Sequence, residues 1–217
     1  MPILSQEPMI YPEGLLDGNG DGTPVLCPDV YPPDAHWFVA HTRPRQEKAL
    51  ARHLFARGVP YFLPQYTRHR VDRSGPTTSW IPLFAGYLFV KTDESGRIEA
   101  LQSNRIVAPL RVIDEQKLVN DLRRVKRLID SQLPLYPEER LLPGRPVRIV
   151  HGPLAGMEGV VEARLGRTRF VVMVDFIRQG VSAEVDASAL EPLADLTPRP
   201  ITRRPWISER AGVCGAI

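Results

Sequence analysis

Cysteine, aromatic residues and long apolar runs are all scarce in this sequence of 217 residues. The two cysteines, Cys27 and Cys214, cannot form a metal cage alone, and both lie in tail-like stretches, which favours a reducing cytoplasm. No apolar run reaches the roughly 18–20 residues that span a bilayer. The N-terminus lacks the basic and apolar regions of a secretory signal. We therefore expect neither a membrane protein nor a secreted one.

Basic residues are absent from one part of the chain and concentrated in another. Residues 1–34 contain six acidic residues and no Lys or Arg, whereas residues 35–130 contain 17 basic and 9 acidic residues. The net charge of the whole chain is only +3. A polyanion is therefore a plausible partner for the middle block alone.

Proline content and hydrophobic periodicity divide the chain into five parts and predict an α+β fold. We expect a disordered acidic extension over 1–34, an α/β sandwich over 35–130, a proline-rich linker over 131–143, a small all-β barrel over 144–193 and a basic, proline-rich tail over 194–217. Within the α/β part, Glu47 to Arg57 and Lys117 to Ser131 are typical of helices. The polar stretch from Thr67 to Ser79 predicts a hairpin tip, and Leu83 to Val90 predicts a buried strand.

Catalytic and metal-binding motifs are missing from the sequence. The five histidines have no cysteine partner at metal-ligand spacing, and neither a Gly-x-Ser-x-Gly elbow nor a phosphate-binding glycine loop is present. Asp17 to Gly22 matches the first half of a calcium loop, but Pro28 stands where the bidentate glutamate is required. We expect no enzyme activity, no cofactor and no metal.

Two motifs in order resemble one family architecture. Trp37 to Glu47 and Pro82 to Val90 resemble the NGN domain of the NusG family of transcription elongation factors, with Ala85 where that family usually has proline. The glycine-rich turn from Val150 to Val161 resembles a KOW motif in a Tudor/SH3-like barrel. The chain is thus similar to a NusG-family factor, and the N-terminal extension and basic NGN-like block favour a specialised RfaH- or LoaP-like paralogue over the general factor.

The resemblance implies that the NGN-like part binds the clamp helices of RNA polymerase through an apolar depression. The matching positions are His41, Phe84, Ala85, Tyr87 and Phe89. Aromatic anchors concentrate binding energy at interfaces. We expect Phe84 and Tyr87 to be exposed because they flank Gly86, whereas some of the others are core residues.

Specialised members of the family also contact DNA through this domain. The positions that match contacts to the non-template strand are Arg43, His53 and Arg105, with Arg45 and Arg52 close by in sequence. Family geometry further implies contacts with upstream duplex DNA at the hairpin, from Arg68, His69, Arg70 and Arg73. A solvated surface of ordinary charge is the alternative for each residue.

The KOW-like part is expected to recruit a partner. Its candidate contact residues are Leu154, Met157, Phe176 and Ile177, with Leu154 and Met157 either at an exposed loop tip or in the core. Family partners of this domain are ribosomal protein uS10 and Rho, and nascent RNA is a third candidate. We expect a monomeric antitermination or elongation factor whose barrel is its resting state and moves freely on the linker. General NusG, or a KOW-type RNA- or ribosome-binding protein, is the alternative.

Overall fold

The computed structural model describes residues 8–17, 34–72, 75–138, 144–164 and 167–193. The first part of the chain contains β1 (Ile10–Tyr11), β2 (His36–Thr42), α1 (Glu47–Ala56), β3 (Tyr61–Phe62), β4 (Gln65–Asp72), β5 (Gly75–Pro82), β6 (Tyr87–Thr92), α2 (Glu94–Gln102), β7 (Ile106–Arg111) and α3 (Glu115–Asp130). The second part contains β8 (Leu135–Glu138), β9 (Arg145–Ile149), β10 (Glu158–Arg164), β11 (Arg167–Val174), β12 (Gln179–Glu184) and β13 (Leu190–Pro192). This mixture of three α-helices and antiparallel strands in the described residues confirms the predicted α+β class.

The first sheet is antiparallel, in the order β1-β3-β6-β2-β7, and is covered on both faces. Successive residues of a strand point to opposite faces. Accordingly, Phe38 and Ala40 of β2 pack with α1 and α2, whereas Trp37 and Val39 pack on the α3 side. The sheet is therefore the middle layer of a sandwich, as the sequence predicts.

Aspartate side chains cap the N-termini of α2 and α3. Asp93 accepts the backbone N–H of Gly96 at 2.9 Å, and Asp114 accepts that of Lys117 at the same distance. Such caps satisfy N–H groups that have no partner within the helix. The helix predicted at Lys117–Ser131 is confirmed, with its first turn beginning two residues earlier.

The strand predicted over 83–90 is partly wrong. Residues 83–86 form a turn, and β6 begins only at Tyr87. Gly86 has φ +81°, a left-handed value that glycine adopts without steric cost and that a strand cannot contain. Residues 83–86 are apolar because the turn is partly buried. An apolar sequence pattern alone does not distinguish a buried turn from a buried strand.

Part of the N-terminal extension is folded, contrary to the prediction of a disordered segment over 1–34. β1 pairs with β3, and a 3-10 turn over Glu13–Leu16 buries Leu15 and Leu16 against the α3 side of the sheet. Arg123 Nε of α3 donates to the carbonyl oxygen of Leu16 at 2.6 Å. The extension therefore covers an edge strand and adds to the core. The half calcium loop lies outside the described residues, except for Asp17.

The second sheet is antiparallel, with strand order β13-β9-β10-β11-β12-β8. Its core contains Phe170, Val172, Val181 and Ala183. Gly159 allows close packing of β10 on β11, because a Cβ there would lie 2.6 Å from the Phe170 ring. The strand form predicted for this part, rather than a helical hairpin, is confirmed.

The segment expected as a linker over 131–143 contributes a strand. β8 pairs with β12, and the hydroxyl of Ser182 donates to Glu138 Oε1 at 2.7 Å. Arg169 approaches the same carboxylate at 3.5 Å. Residues 131–134 alone therefore separate α3 from the second sheet.

Helix α3 also contacts the second sheet, so the two parts share one apolar core. Leu118, Leu122 and Val125 belong to the same buried cluster as Leu154 and Phe170. An amphipathic helix usually has one buried stripe. Here the helix is covered both by the first sheet and by the second, which contradicts the expectation of a freely moving second part.

Candidate functional site

His41 and Tyr87 form a half-buried aromatic pair at one end of the two central strands of the first sheet. The residues pair across β2 and β6, and their rings stack with centroids 5.3 Å apart and planes 24° apart. Ala85 is exposed in the neighbouring turn. We call His41, Ala85 and Tyr87 the turn patch.

The two phenylalanines predicted for the same surface are core residues. Phe84 is 1% exposed and Phe89 is fully buried, and their rings meet edge to face with centroids 6.1 Å apart. The expectation that Phe84 is exposed is therefore wrong. Because the turn reverses the chain at Gly86, Phe84 packs into the α3 side of the sheet while Ala85 faces solvent. Of the turn patch, Tyr87 packs against the apolar cluster that contains both phenylalanines.

Arg43 and Arg105 lie side by side although they are far apart in sequence. The backbone N–H of Arg43 donates to the carbonyl oxygen of Arg105 at 2.8 Å. The Arg43 side chain is exposed. Arg105 is half-buried, and its Nη1 donates to the Ser103 carbonyl at 3.0 Å. The structure thus brings together two of the three matched DNA-contact positions, both beside the end of β2 that carries His41.

The other residues predicted to contact the non-template strand are Arg45, Arg52 and His53. Arg45 and Arg52 are exposed. His53 is half-buried between α1 and α2, where its Nε2 lies 3.1 Å from the Glu99 carbonyl and Arg57 Nη1 lies 2.9 Å from its Nδ1. Both ring nitrogens of His53 thus have partners within the protein, and the ring is less exposed than the side chains of Arg45 and Arg52.

The predicted hairpin is present as the two-stranded sheet of β4 and β5. Arg68 is exposed, and His69 Nδ1 lies 3.0 Å from the hydroxyl of Thr78 across the hairpin. Arg70 pairs with Thr77 in the strand register. Arg73, the fourth residue predicted there, lies outside the described residues.

The glycine-rich loop of the second part packs against α3. Leu154 and Met157 are each 2% exposed, so the expectation of an exposed loop tip is wrong and the alternative, core packing, holds. Arg127 Nη2 of α3 donates to the carbonyl oxygen of Ala155 at 3.1 Å. Ile177 is also buried, whereas Phe176 is 37% exposed. Phe176 is therefore the accessible member of the predicted partner-binding set.

A polar network that the sequence analysis missed crosses the contact between α3 and the second sheet. Asp121 is buried on α3, pairs with Arg124, and accepts the backbone N–H of Asp175 at 3.2 Å. Lys117 Nζ lies 2.6 Å from Asp175 Oδ2. The sequence does contain a signal for this network: Asp121 is an acidic residue inside the apolar stripe of Leu118, Leu122 and Val125, where a buried charge needs a partner.

Burial and ion pairing shift two pKa values in this network. Burial raises the pKa of Asp121, although Arg124 and the Asp175 N–H oppose the shift. The bond to Asp175 raises the pKa of Lys117. A groove beside the network is lined by apolar and charged groups: Ile113, Asp114, Lys117, Leu118, Asp121, Asp175 and Phe176.

Two kinds of feature are absent from the part of the chain that the structure describes. Among the residues that the structure describes, no three His, Cys, Asp or Glu side chains come together in a way that could hold a metal ion. Within the same residues, no helix has both the length and the apolar character needed to cross a membrane.

One family model matches part of the chain. The family model described as "Transcription termination factor nusG" matches residues 35–141, which include the turn patch, Arg43 and Arg105. The first part of the chain is therefore similar to the NusG family. No curated protein matches the chain.

Several solved structures are similar at low identity. "Domain interaction in Thermotoga maritima NusG" is 19% identical, covers 73% of this chain and 97% of that chain, and has a TM-score of 0.42. "Crystal Structure of MjSpt4:Spt5 complex conformation A" is 15% identical, covers 72% of this chain and 97% of that chain, and has a TM-score of 0.24. With TM-scores below 0.5, these likenesses add nothing to the family match.

Proposed function

We propose that this protein is a NusG-type transcription elongation factor, because residues 35–141 match the NusG family. The protein acts in the cytoplasm by binding rather than by catalysis. Its first part, the NGN domain, binds the clamp helices of RNA polymerase and disfavours the paused conformation. Such a factor shifts the polymerase population from the paused to the elongating conformation. The size of the shift is limited by the difference between its affinities for these two conformations.

The turn patch is the proposed polymerase contact. Ala85 is exposed, His41 and Tyr87 are half-buried, and Tyr87 packs against the core cluster that contains Phe84 and Phe89. Aromatic residues at the centre of an interface contribute most of the binding energy. A stacked and already ordered pair also loses little conformational freedom on binding.

The arginines beside the turn patch are the proposed DNA contacts. Arg43 and Arg105 adjoin at the end of β2, and Arg45 and Arg52 are exposed arginines close to Arg43 in sequence. Arginine binds phosphate through a planar donor fork and stacks on exposed bases, which suits a displaced non-template strand. The β4–β5 hairpin, with exposed Arg68, contacts upstream duplex DNA.

The second sheet is proposed to be a KOW domain that recruits ribosomal protein uS10, Rho or nascent RNA. Phe176 is partly exposed in this structure, so such a partner can reach it without any rearrangement. Leu154 and Met157 are buried at the contact with α3 and reach a partner only when that contact opens.

A specialised antiterminator is preferred over the general factor. The reason is the folded N-terminal segment, which lies outside the residues matched by the family model. The alternative class is a KOW-type protein that binds ribosomal RNA. Such proteins use strongly basic surfaces, but residues 131–193 contain 7 basic and 8 acidic residues.

Binding to purified core RNA polymerase tests the proposal. Tyr87→Ala should weaken binding by at least about 2 kcal/mol, roughly thirtyfold. Phe176→Ala is the matched control, because it removes a partly exposed aromatic ring from the second part and should leave polymerase binding unchanged. Failure of the wild type to bind polymerase, together with co-purification of ribosomal subunits, would support the alternative class.

A further inference from the structure

Two hydrogen bonds hold Gly86 between Ala85 and Tyr87 of the turn patch. Its backbone N–H donates to Glu47 Oε1 at 2.7 Å, and its carbonyl accepts the N–H of Thr42 at 2.8 Å. A Cβ on Gly86 would lie 3.7 Å from the His41 ring. The turn that carries Ala85 and leads into Tyr87 is thus fastened both to β2 and to α1.

Glu47 is unusual for its burial, since acidic side chains are common in the first turn of a helix but are rarely buried. It is the first residue of α1 and is only 6% exposed. A buried carboxylate is costly unless it is hydrogen-bonded. Its bond to an N–H group is charge-assisted and stronger than a neutral one. The start of a helix does not by itself require the acidic side chain to be buried, whereas the bond to Gly86 holds it in the interior.

We propose that Glu47 is a positioning residue for polymerase binding. Its carboxylate fixes the Gly86 peptide and so sets the direction in which Ala85 and Tyr87 face the polymerase. The inference rests on the proposed function, because the turn patch is the proposed contact. Without this bond the turn keeps its backbone hydrogen bonds, from the Thr42 N–H to the Gly86 carbonyl and from the Tyr87 N–H to the Phe84 carbonyl, but loses its connection to α1. The polymerase then has to select one of several turn conformations.

Three substitutions test the role of Glu47. Glu47→Ala removes the acceptor and should weaken binding to core polymerase about tenfold. The same variant should speed hydrogen exchange of the Gly86 amide, measured by NMR. Glu47→Gln keeps an acceptor oxygen of the same reach and should bind within about threefold of the wild type. Lys48→Ala, next to it on α1, is the matched control and should match the wild type in both measurements.

Gly86→Ala keeps the test decisive if Glu47→Ala does not fold. The new Cβ makes only ordinary contact with His41, but φ +81° disfavours alanine, so the turn should shift. Binding should again fall about tenfold. Wild-type polymerase binding by folded Gly86→Ala or Glu47→Ala would overturn the inference. Equal loss in Glu47→Gln and Glu47→Ala would also overturn it, because the acceptor atom would then not be what matters.

Failure of the inference can be separated from failure of the proposed function. If Tyr87→Ala binds polymerase normally in the same assay, the turn patch is not the contact, and the proposed docking surface is wrong. If Tyr87→Ala loses binding while Glu47→Ala and Gly86→Ala retain it, the contact stands and the positioning role of Glu47 is wrong.

Discussion

The backbone N–H of Asp175 donates to Oδ2 of Asp121 at 3.2 Å, across the contact between α3 and the second sheet. The Asp121 side chain is 2% exposed and also pairs with Arg124. A buried carboxylate with two hydrogen-bond partners is satisfied only when the donors point at it. Few relative positions of α3 and the second sheet allow this. The bond therefore specifies where the second part sits on α3, in addition to the apolar contacts around it.

Asp121→Ala is expected to weaken the contact between the two parts. Removal of the carboxylate leaves the Asp175 N–H and the Arg124 guanidinium without this acceptor, and an unsatisfied buried donor costs about 1–3 kcal/mol. The free energy of unfolding in urea should fall by about that amount. Amide exchange in residues 152–157 should become faster.

Lys117→Ala is the matched control for this prediction. Lys117 pairs with the side chain of Asp175, but both side chains are more than half exposed. Exposed pairs contribute about 1 kcal/mol or less. If both variants lose equal stability, the buried bond has no special role at this contact.

The stability of the contact should depend on pH through Asp121. Its pKa is raised in the folded protein, so the folded state binds the proton more tightly than the unfolded state does. The stability that protonation of Asp121 adds is therefore fully present below its unfolded pKa and is lost as the pH rises through its folded pKa, whereas the hydrogen bonds that the carboxylate accepts remain at neutral pH. The wild type should gain stability relative to Asp121→Asn as the pH falls from 7 into the acidic range. Parallel pH profiles of the two proteins, measured by urea unfolding, would contradict this.

The elements that the sequence predicts correctly are those with strong local signals. The 3.6-residue period of Leu118, Leu122 and Val125 is sufficient to define α3, and the glycines at 159 and 180 favour strands over helices in the second part. Arg43 and Arg105 are singled out by the family resemblance alone, and no pattern in the residues predicts that they lie side by side. Local periodicity thus accounts for the elements but not for the site.

The elements that the sequence analysis missed depend on contacts with distant residues. β8 lies in a proline-rich stretch and becomes a strand because β12 offers an open edge. Leu16 belongs to an acidic, proline-rich extension and becomes a core residue because α3 and the first sheet leave an apolar cleft. The composition of such segments predicts tails or linkers, because the strands and helices that order them lie far away in the sequence.

Leu16→Ala is expected to destabilise the first part of the chain. Leu16 is 2% exposed, and truncation of a buried leucine typically costs about 2–5 kcal/mol. Ile113→Ala is the matched control, because Ile113 is 96% exposed and its truncation should change stability by less than about 0.5 kcal/mol. Thermal unfolding of both variants measures the difference. Wild-type stability of Leu16→Ala would mean that the N-terminal segment does not belong to the core.

Arg43→Ala is expected to reduce activity on a paused elongation complex more than it reduces binding to free polymerase. The side chain is exposed beside Arg105, and the proposed partner is the displaced non-template strand, which free polymerase lacks. Each lost phosphate contact with single-stranded DNA should lower the slope of log affinity against log salt by about 0.7. Arg111→Ala is the matched control, because Arg111 is an exposed arginine on β7 outside this pair. Affinity for the paused complex, measured over a series of potassium chloride concentrations, should show the smaller slope for Arg43→Ala only. An unchanged slope with unchanged antipausing activity would exclude Arg43 from the DNA contact.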